Sequence, residues 1–182
     1  SATPLPIREP GGEYVVHHGR GYTRFTREGH GVTLDLVHYV PADDPIKIAR
    51  LTITNRSTGV RRLTVTAYLE WVLGVSRSAS APYVATEMDG ATGAMFARNS
   101  WSRDFGTRVA FADLGGAQTS WTADRAEFLG RNGASDRPAA LGRREPLSGR
   151  TGVGLDPCGA LQTAVEIPAG GQVSVVFLLG QA

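Results

Sequence analysis

Hydrophobic and polar positions alternate along much of this chain, most clearly over residues 45–73. In the second half of that stretch Leu63, Val65, Ala67, Leu69, Trp71 and Leu73 take every second position, with Arg62, Thr64, Thr66, Tyr68 and Glu70 between them. Successive side chains of a strand point to opposite faces, so the pattern predicts a strand with one buried face. The first half, 45–55, is also strand-like, and Asn55-Arg-Ser-Thr-Gly59 joins the two with turn-forming residues and a glycine able to take positive φ. The two arms are therefore expected to pair as an antiparallel hairpin.

Shorter segments repeat the pattern. Residues 13–18 and 22–27 are strand candidates joined through Gly19-Arg-Gly21, and 30–40 places Val32, Leu34, Leu36, His38 and Val40 on one face. Pro41-Ala-Asp-Asp-Pro45 has turn chemistry. Segments 83–88 and 93–98 predict a hairpin around Asp89-Gly90-Ala-Thr-Gly93, and 107–112 a strand that ends in a turn at Asp113-Leu-Gly-Gly116. Asp124-Arg-Ala-Glu-Phe-Leu-Gly130 predicts one helical turn, with Asp124 capping it and Gly130 ending it. Two last strands, 159–167 and 172–179, flank Pro168-Ala-Gly-Gly171. The Ser/Ala-rich stretch 74–82 reads as a loop, 131–157 as a longer loop of the functional or mobile kind, and 3–12 as a proline-fixed extended lead-in. Roughly nine or ten strands at hairpin spacing predict an all-β fold: one antiparallel β-sandwich domain over 1–182, with few or no helices.

Composition narrows the functional classes. A chain of 182 residues can bury roughly 70% of the surface its unfolded form exposes, enough for one sizeable core. The single cysteine, Cys158, excludes an internal disulfide, argues against a cysteine-built metal site and suits a reducing compartment. Net charge is only +2, although the isoelectric point is about 9.0. Lys47 is the only lysine, and the arginines are scattered, with pairs at Arg61-Arg62 and Arg143-Arg144 rather than a clustered footprint, so no nucleic-acid partner is expected. No apolar run approaches the ~20 residues that cross a bilayer, and the first ten residues lack a signal-peptide layout, so a soluble chain is expected.

Few residues point to chemistry by themselves. His17 and His18 are adjacent on a strand and face opposite ways, while His30 and His38 lie eight residues apart, too far to share a metal; no metal site is expected. His38 sits among Val and Leu positions and reads as a hydrogen-bonded core histidine. The serines at 76, 78 and 80 lack a Gly-x-Ser-x-Gly elbow, and Cys158 opens a strand as a structural thiol would. Asp43, Asp44, Asp124, Glu127 and Asp136 are available as carboxylates, but no two need converge. Gly19-Arg-Gly21 is better read as a turn than as a phosphate loop. The aromatic residues expected in loops, Trp101, Phe105 and Trp121, lie near Asn99, Arg103, Asp104 and Arg125. Flat rings beside hydrogen-bonding groups suit sugar faces; equally, such rings cap the ends of a sandwich, and both readings stay open.

Taken in order, Thr3-Pro-Leu-Pro, His18-Gly-Arg-Gly-Tyr-Thr-Arg24, Leu51-Thr-Ile-Thr-Asn55, Arg61-Arg-Leu-Thr64, Asp124-Arg-Ala-Glu-Phe-Leu-Gly130, Cys158-Gly-Ala-Leu-Gln162 and Phe177-Leu-Leu-Gly180 resemble one family. It is the N-terminal β-sandwich region of glycoside hydrolase family 94, formerly glycosyltransferase family 36. Glu70-Trp-Val-Leu-Gly74 and Phe111-Ala-Asp-Leu-Gly-Gly116 resemble its cyclic β-1,2-glucan synthase branch. The resemblance implies part of a larger super-sandwich, in a parent enzyme that performs inverting phosphorolysis or transfer of β-glycosidic bonds. The family's catalytic aspartate lies in a following (α/α)6 barrel, so the chain itself is expected to have no catalytic residue and no cofactor. The implied partners are a β-glucan or oligosaccharide, the downstream helical-barrel domain, and a second copy in a homodimer. The implied location is a soluble, cytoplasmic-side domain of an inner-membrane protein. In the family a loop after the strand matching 63–73 reaches towards a sugar site; here it is 74–82, without the Gln-Arg pair of the disaccharide phosphorylases. Arg77, Ser78, Trp101, Arg103 and Arg125 are the candidate sugar contacts. The alternatives are a free-standing carbohydrate-binding module with Trp101 or Trp121 as its platform, and a structural interaction domain.

Overall fold

A computed structural model describes residues 1–7 and 12–182; the lead-in predicted for 3–12 lies partly outside the described residues. The first strands, at the expected positions, form a meander: β1 (Tyr14–Gly19), β2 (Tyr22–Gly29), β3 (Val32–Tyr39) and β4 (Ile46–Asn55) pair antiparallel in turn. Gly21 and Gly31 take the positive φ that their two-residue turns require. β5 (Arg61–Glu70) follows, then a short helix α1 (Arg77–Ser80) that runs into a 3-10 turn at Ala81–Tyr83. This helix is a departure from the loop expected at 74–82. Ser76 accepts from the Ala79 amide as its N-cap, and the chain's small residues let the turn close. The hairpin of β6 (Val84–Met88) and β7 (Met95–Asn99) forms as expected, as does β8 (Ala110–Asp113). β9 (Ser120–Asp124) had no counterpart in the sequence reading, and it leads into the expected turn α2 (Arg125–Leu129). The Asp124 carboxylate caps α2 at Ala126 N, and Gly130 ends it at φ 95°. β10 (Pro157–Ile167) and β11 (Gln172–Gln181) close the chain.

The strands form two antiparallel sheets, an eight-stranded one in the order β1-β2-β3-β4-β11-β8-β7-β6 and a three-stranded one in the order β5-β10-β9. The all-β sandwich expected from the sequence is therefore present. The hairpin expected over 45–73 is not. β4 bonds to β3 and β11, β5 bonds to β10, and residues 56–60 carry the chain from one sheet to the other. Alternation reports which face of a strand is buried but not which strand it bonds to, so two half-buried arms satisfy it equally well stacked face to face. Residues 168–171 make a second crossing, from β10 to β11.

The two crossings are joined by Asn55, which is wholly buried. Its Nδ2 donates to the carbonyls of Gly59 (2.8 Å), Ile167 (3.0 Å) and Pro168 (3.0 Å), and its Oδ1 accepts from Ser57 N and Oγ. Its own backbone N–H donates to Gly171 O at 2.9 Å. Between the sheets Trp71, Val84, Met95, Ala97, Ala112, Leu114, Leu161 and Val175 make the main core, each large side chain contributing about 1.5–3 kcal/mol on burial. A smaller core covers the outer face of the three-stranded sheet, where Phe128, Leu129, Ala140 and Leu147 pack on Ala160 and Tyr68. Residues 131–157 thus carry packing residues and a 3-10 turn at Ala139–Gly142, rather than running free over the surface. The wider sheet outreaches its partner at the β1–β3 flank, where a cavity of about 290 Å³ opens beside Leu36, His38, Ala49, Val65 and Phe177.

Replacing Asn55 by Ala removes its amide from buried carbonyl partners and leaves them unmatched. The expected cost is about 2–4 kcal/mol of unfolding free energy, read from urea denaturation; a loss below about 0.5 kcal/mol would show that the crossings hold without the amide.

Candidate functional site

The candidate site lies at the end of the sandwich where β5 gives way to β6. Trp71 is buried in the core and anchors the start of the connection. Ser80 Oγ, at the end of α1, donates to Ser76 O at 2.8 Å and to Val72 O, which folds the connection back on itself. Asn99, the last residue of β7, ties this connection to the next one. Its Nδ2 donates to Leu73 O at 2.9 Å and its Oδ1 accepts from Trp101 N at 3.1 Å. As a result the Tyr83 and Trp101 rings meet at 5.2 Å between centroids, tilted by 35°. Trp101 is 77% exposed, Phe105 58% and Tyr83 46%, so this end of the molecule shows three aromatic rings to solvent. The Arg108 guanidinium lies 5.5 Å over the Phe105 ring, and Leu73, Asn99, Ser102, Phe105 and Arg108 line a cleft of about 220 Å³ beside them.

At the end of β5 sits a group of four charges. Arg77 of α1 pairs with both Glu70 and Asp156. Arg125 of α2 donates from Nε to Glu70 Oε1 at 2.8 Å and from Nη1 to Asp156 Oδ2 at 3.4 Å. The Tyr68 hydroxyl donates to Glu70 Oε1 at 2.8 Å. All four charged side chains are about one third exposed. Two guanidinium groups and two carboxylates cancel, so the group is neutral and fully cross-linked. Burial alone raises the Glu70 carboxyl, but the hydrogen bonds from Tyr68 and Arg125 and the charge of Arg77 outweigh it and hold the group below its ordinary value. Burial, and then the bond to Glu70, push the Tyr68 hydroxyl well above its ordinary value. Cys158, opposite Glu70 in the sheet register, is buried, and that burial together with Asp124, Asp156 and Glu70 pushes its thiol up to about 12. It is a structural thiol, as its place at the head of β10 suggested.

The structure brings Arg77 and Arg125 together, each already held by two carboxylates. Ser78 is exposed on α1, and Trp101 and Arg103 are exposed on the connection from β7 to β8. Trp121 differs from its expected loop position. It lies in β9, packs against the main core and buries its indole N–H, because the strand alternation of 120–124 turns it inward. Sequence reading missed Tyr83, Glu70 and Asp156. Alternation puts Tyr83 at the start of a strand, and nothing in linear spacing brings Asp156 back to Glu70. His38 is half-buried with its ring edge-on to Phe25 at 5.7 Å, and burial, followed by the charge of Lys47, lowers its pKa. Among the described residues no group of three or more His, Cys, Asp or Glu side chains is placed to hold a metal ion, and no helix is long and apolar enough to cross a membrane.

The family model for the glycosyl hydrolase 94 supersandwich domain matches residues 1–182. The chain belongs to that family. It is 40% identical over 169 residues to the cyclic beta-(1,2)-glucan synthase NdvB of Rhizobium meliloti (strain 1021), a match covering 93% of this chain and 6% of that protein. It is 27% identical over 180 residues to the solabiose phosphorylase of Paenibacillus borealis, covering 97% of this chain and 23% of the relative. The chain therefore spans a small fraction of the relatives it matches. A polysaccharide lyase shares the fold with a TM-score of 0.53 at 11% identity, over 93% of this chain and 25% of that one. The family read from the ordered motifs, and its glucan-synthase branch, agree with these matches.

Two outcomes test the charge group and the buried thiol beside it. Glu70 and Glu127 both have carboxyls held below their ordinary values: burial alone would raise each, but for Glu70 the contacts described outweigh it and for Glu127 the bonds from Ser148 and Thr122 do. Their contribution to stability is present above the unfolded value of about 4.3 and is lost as pH falls through their folded values. Urea denaturation between pH 7 and pH 3 should show stability falling in that acid range, with a shallower fall in Glu70→Gln. Separately, the Cys158 thiol should resist a water-soluble disulfide reagent at pH 8 until denaturant is added; rapid labelling of the folded protein would contradict its burial.

Proposed function

We propose that this domain is a non-catalytic, carbohydrate-facing sandwich of a larger glycoside phosphorylase or cyclic β-1,2-glucan synthase, shaping the mouth of a sugar site and supporting assembly. The observation that carries the reading is the exposed Trp101–Tyr83 pair, with Trp101 held by Asn99. Exposed flat rings next to Ser78, Arg103 and the residual N–H donors of Arg77 and Arg125 suit the apolar face and hydroxyl edge of a β-glucan. Trp101 and Arg103 are the direct contacts in this reading, while Arg77 and Arg125 mainly hold the connection rigid. Family membership supports it, since both relatives are named for glycosidic chemistry. The uncovered flank of the eight-stranded sheet and the free edge of β5 fit one unit of a wider sandwich, and the same surfaces suit the catalytic partner domain or a second copy. A free-standing binding module remains the second reading, with Trp101 and not the inward Trp121 as its platform.

Calorimetric titration with linear and cyclic β-1,2-glucans tests this reading. Binding should be weakened about tenfold by Trp101→Ala and left unchanged by Trp121→Phe. No binding of either glucan, in the chain alone or joined to its catalytic partner domain, would remove the sugar-facing role and leave a purely structural one.

A further inference from the structure

A second polar site lies on the outer face of the three-stranded sheet, further along β5 from Glu70. There the register aligns Thr66, Gln162 and Ser120 in one row across β5, β10 and β9. Ser120 Oγ donates to Gln162 Oε1 and Gln162 Nε2 donates to Thr66 Oγ1, each at 3.1 Å. Gln162 and Ser120 are themselves buried, so the row is fixed by the sheet and by its own bonds. An amide nitrogen carries two protons and a hydroxyl one. With these bonds made, one proton of Gln162 Nε2 and that of Thr66 Oγ1 have no protein acceptor among the described residues. One wall of the groove is the segment after the 3-10 turn, and it brings Arg143 and Arg144 to the row. That wall is pinned at both ends, because Ala140 and Leu147 are buried in the outer core. Neither arginine makes an ion pair within the described residues. Glu145 also lines the groove, so its local charge is positive by one. The groove holds about 290 Å³, at the small end of the range for small-molecule sites and suited to a single sugar ring.

A surplus of donors with two unpaired guanidinium groups calls for a ligand rich in acceptors and negatively charged at one end. We propose that this groove binds a saccharide carrying an oxyanion, with its hydroxyls on Thr64, Thr66 and Gln162 and its phosphate or carboxylate on Arg143 and Arg144. The site stands apart from the Trp101 end and does not depend on what that end does. Titrations with glucose 6-phosphate, glucuronic acid, glucose and inorganic phosphate test it, the first two separating phosphate from carboxylate. At least one of the two anionic sugars should bind at one-to-one stoichiometry, more tightly than glucose or inorganic phosphate. The double variant Arg143→Gln, Arg144→Gln, whose side chains are exposed and should leave the fold and its circular dichroism intact, should weaken that binding at least tenfold. Thr66→Val should weaken it several-fold. Failure of both anionic sugars to bind, equal affinity for inorganic phosphate and the sugar phosphate, or a double variant that binds like the parent would overturn the proposal.

Discussion

The arrangement of this domain depends on one buried amide. A sandwich needs the chain to cross between sheets, and each crossing leaves carbonyls that no strand neighbour can satisfy. Here two of the four crossings, β4 to β5 and β10 to β11, are joined by the Asn55 side chain, which bonds to carbonyls on each. A carboxylate at this position could accept but not donate, and an aliphatic side chain could do neither. With the crossings held together, β5 lies beside β10 over its whole length, and the apolar face of β5 is set against the inner face of β4 and β11. The far end of β5 is then fixed in space, and with it the start of the connection that leads to Tyr83.

At that far end the rigidity comes from charge rather than from packing. Exposed ion pairs taken singly contribute little to stability. Two guanidinium groups that share two carboxylates, with a tyrosine hydroxyl bonded to one of them, restrain one another more than any single pair does. The group links β5, α1, α2 and the segment before β10, so a short helix that would be unstable in isolation keeps one position. This arrangement gives Arg77 and Arg125 a different meaning from free cations waiting for a ligand. They hold α1 and α2 to the end of β5 and to the segment before β10.

The outer face of the three-stranded sheet is divided in two. Tyr68 stacks on Phe128 at 4.6 Å, and this pair with Leu129, Ala140 and Leu147 closes one half against water. The other half keeps its threonines and Gln162 open beside the arginines of the same covering segment. One stretch of chain therefore serves both as the lid of a small core and as the wall of a polar groove.

The sequence by itself determined the fold class, because strand alternation and turn chemistry are local properties that survive in any topology. The strand segments of β1 to β4, the β6–β7 hairpin and the helical turn capped by Asp124 were legible for that reason, and so was the family, through the order of its motifs. Trp101 and Arg103 could be singled out as exposed candidates from their polar surroundings. Which sheet each arm of 45–73 joins was decided only by the tertiary structure, since a half-buried strand looks the same beside its neighbour as across from it. The same limit hid the inward turn of Trp121, the pairing of Glu70 with arginines 7 and 55 residues further along, and the row of Thr66, Gln162 and Ser120. Contacts of that range leave no periodic trace in the chain; they exist only once the sheets have closed on each other.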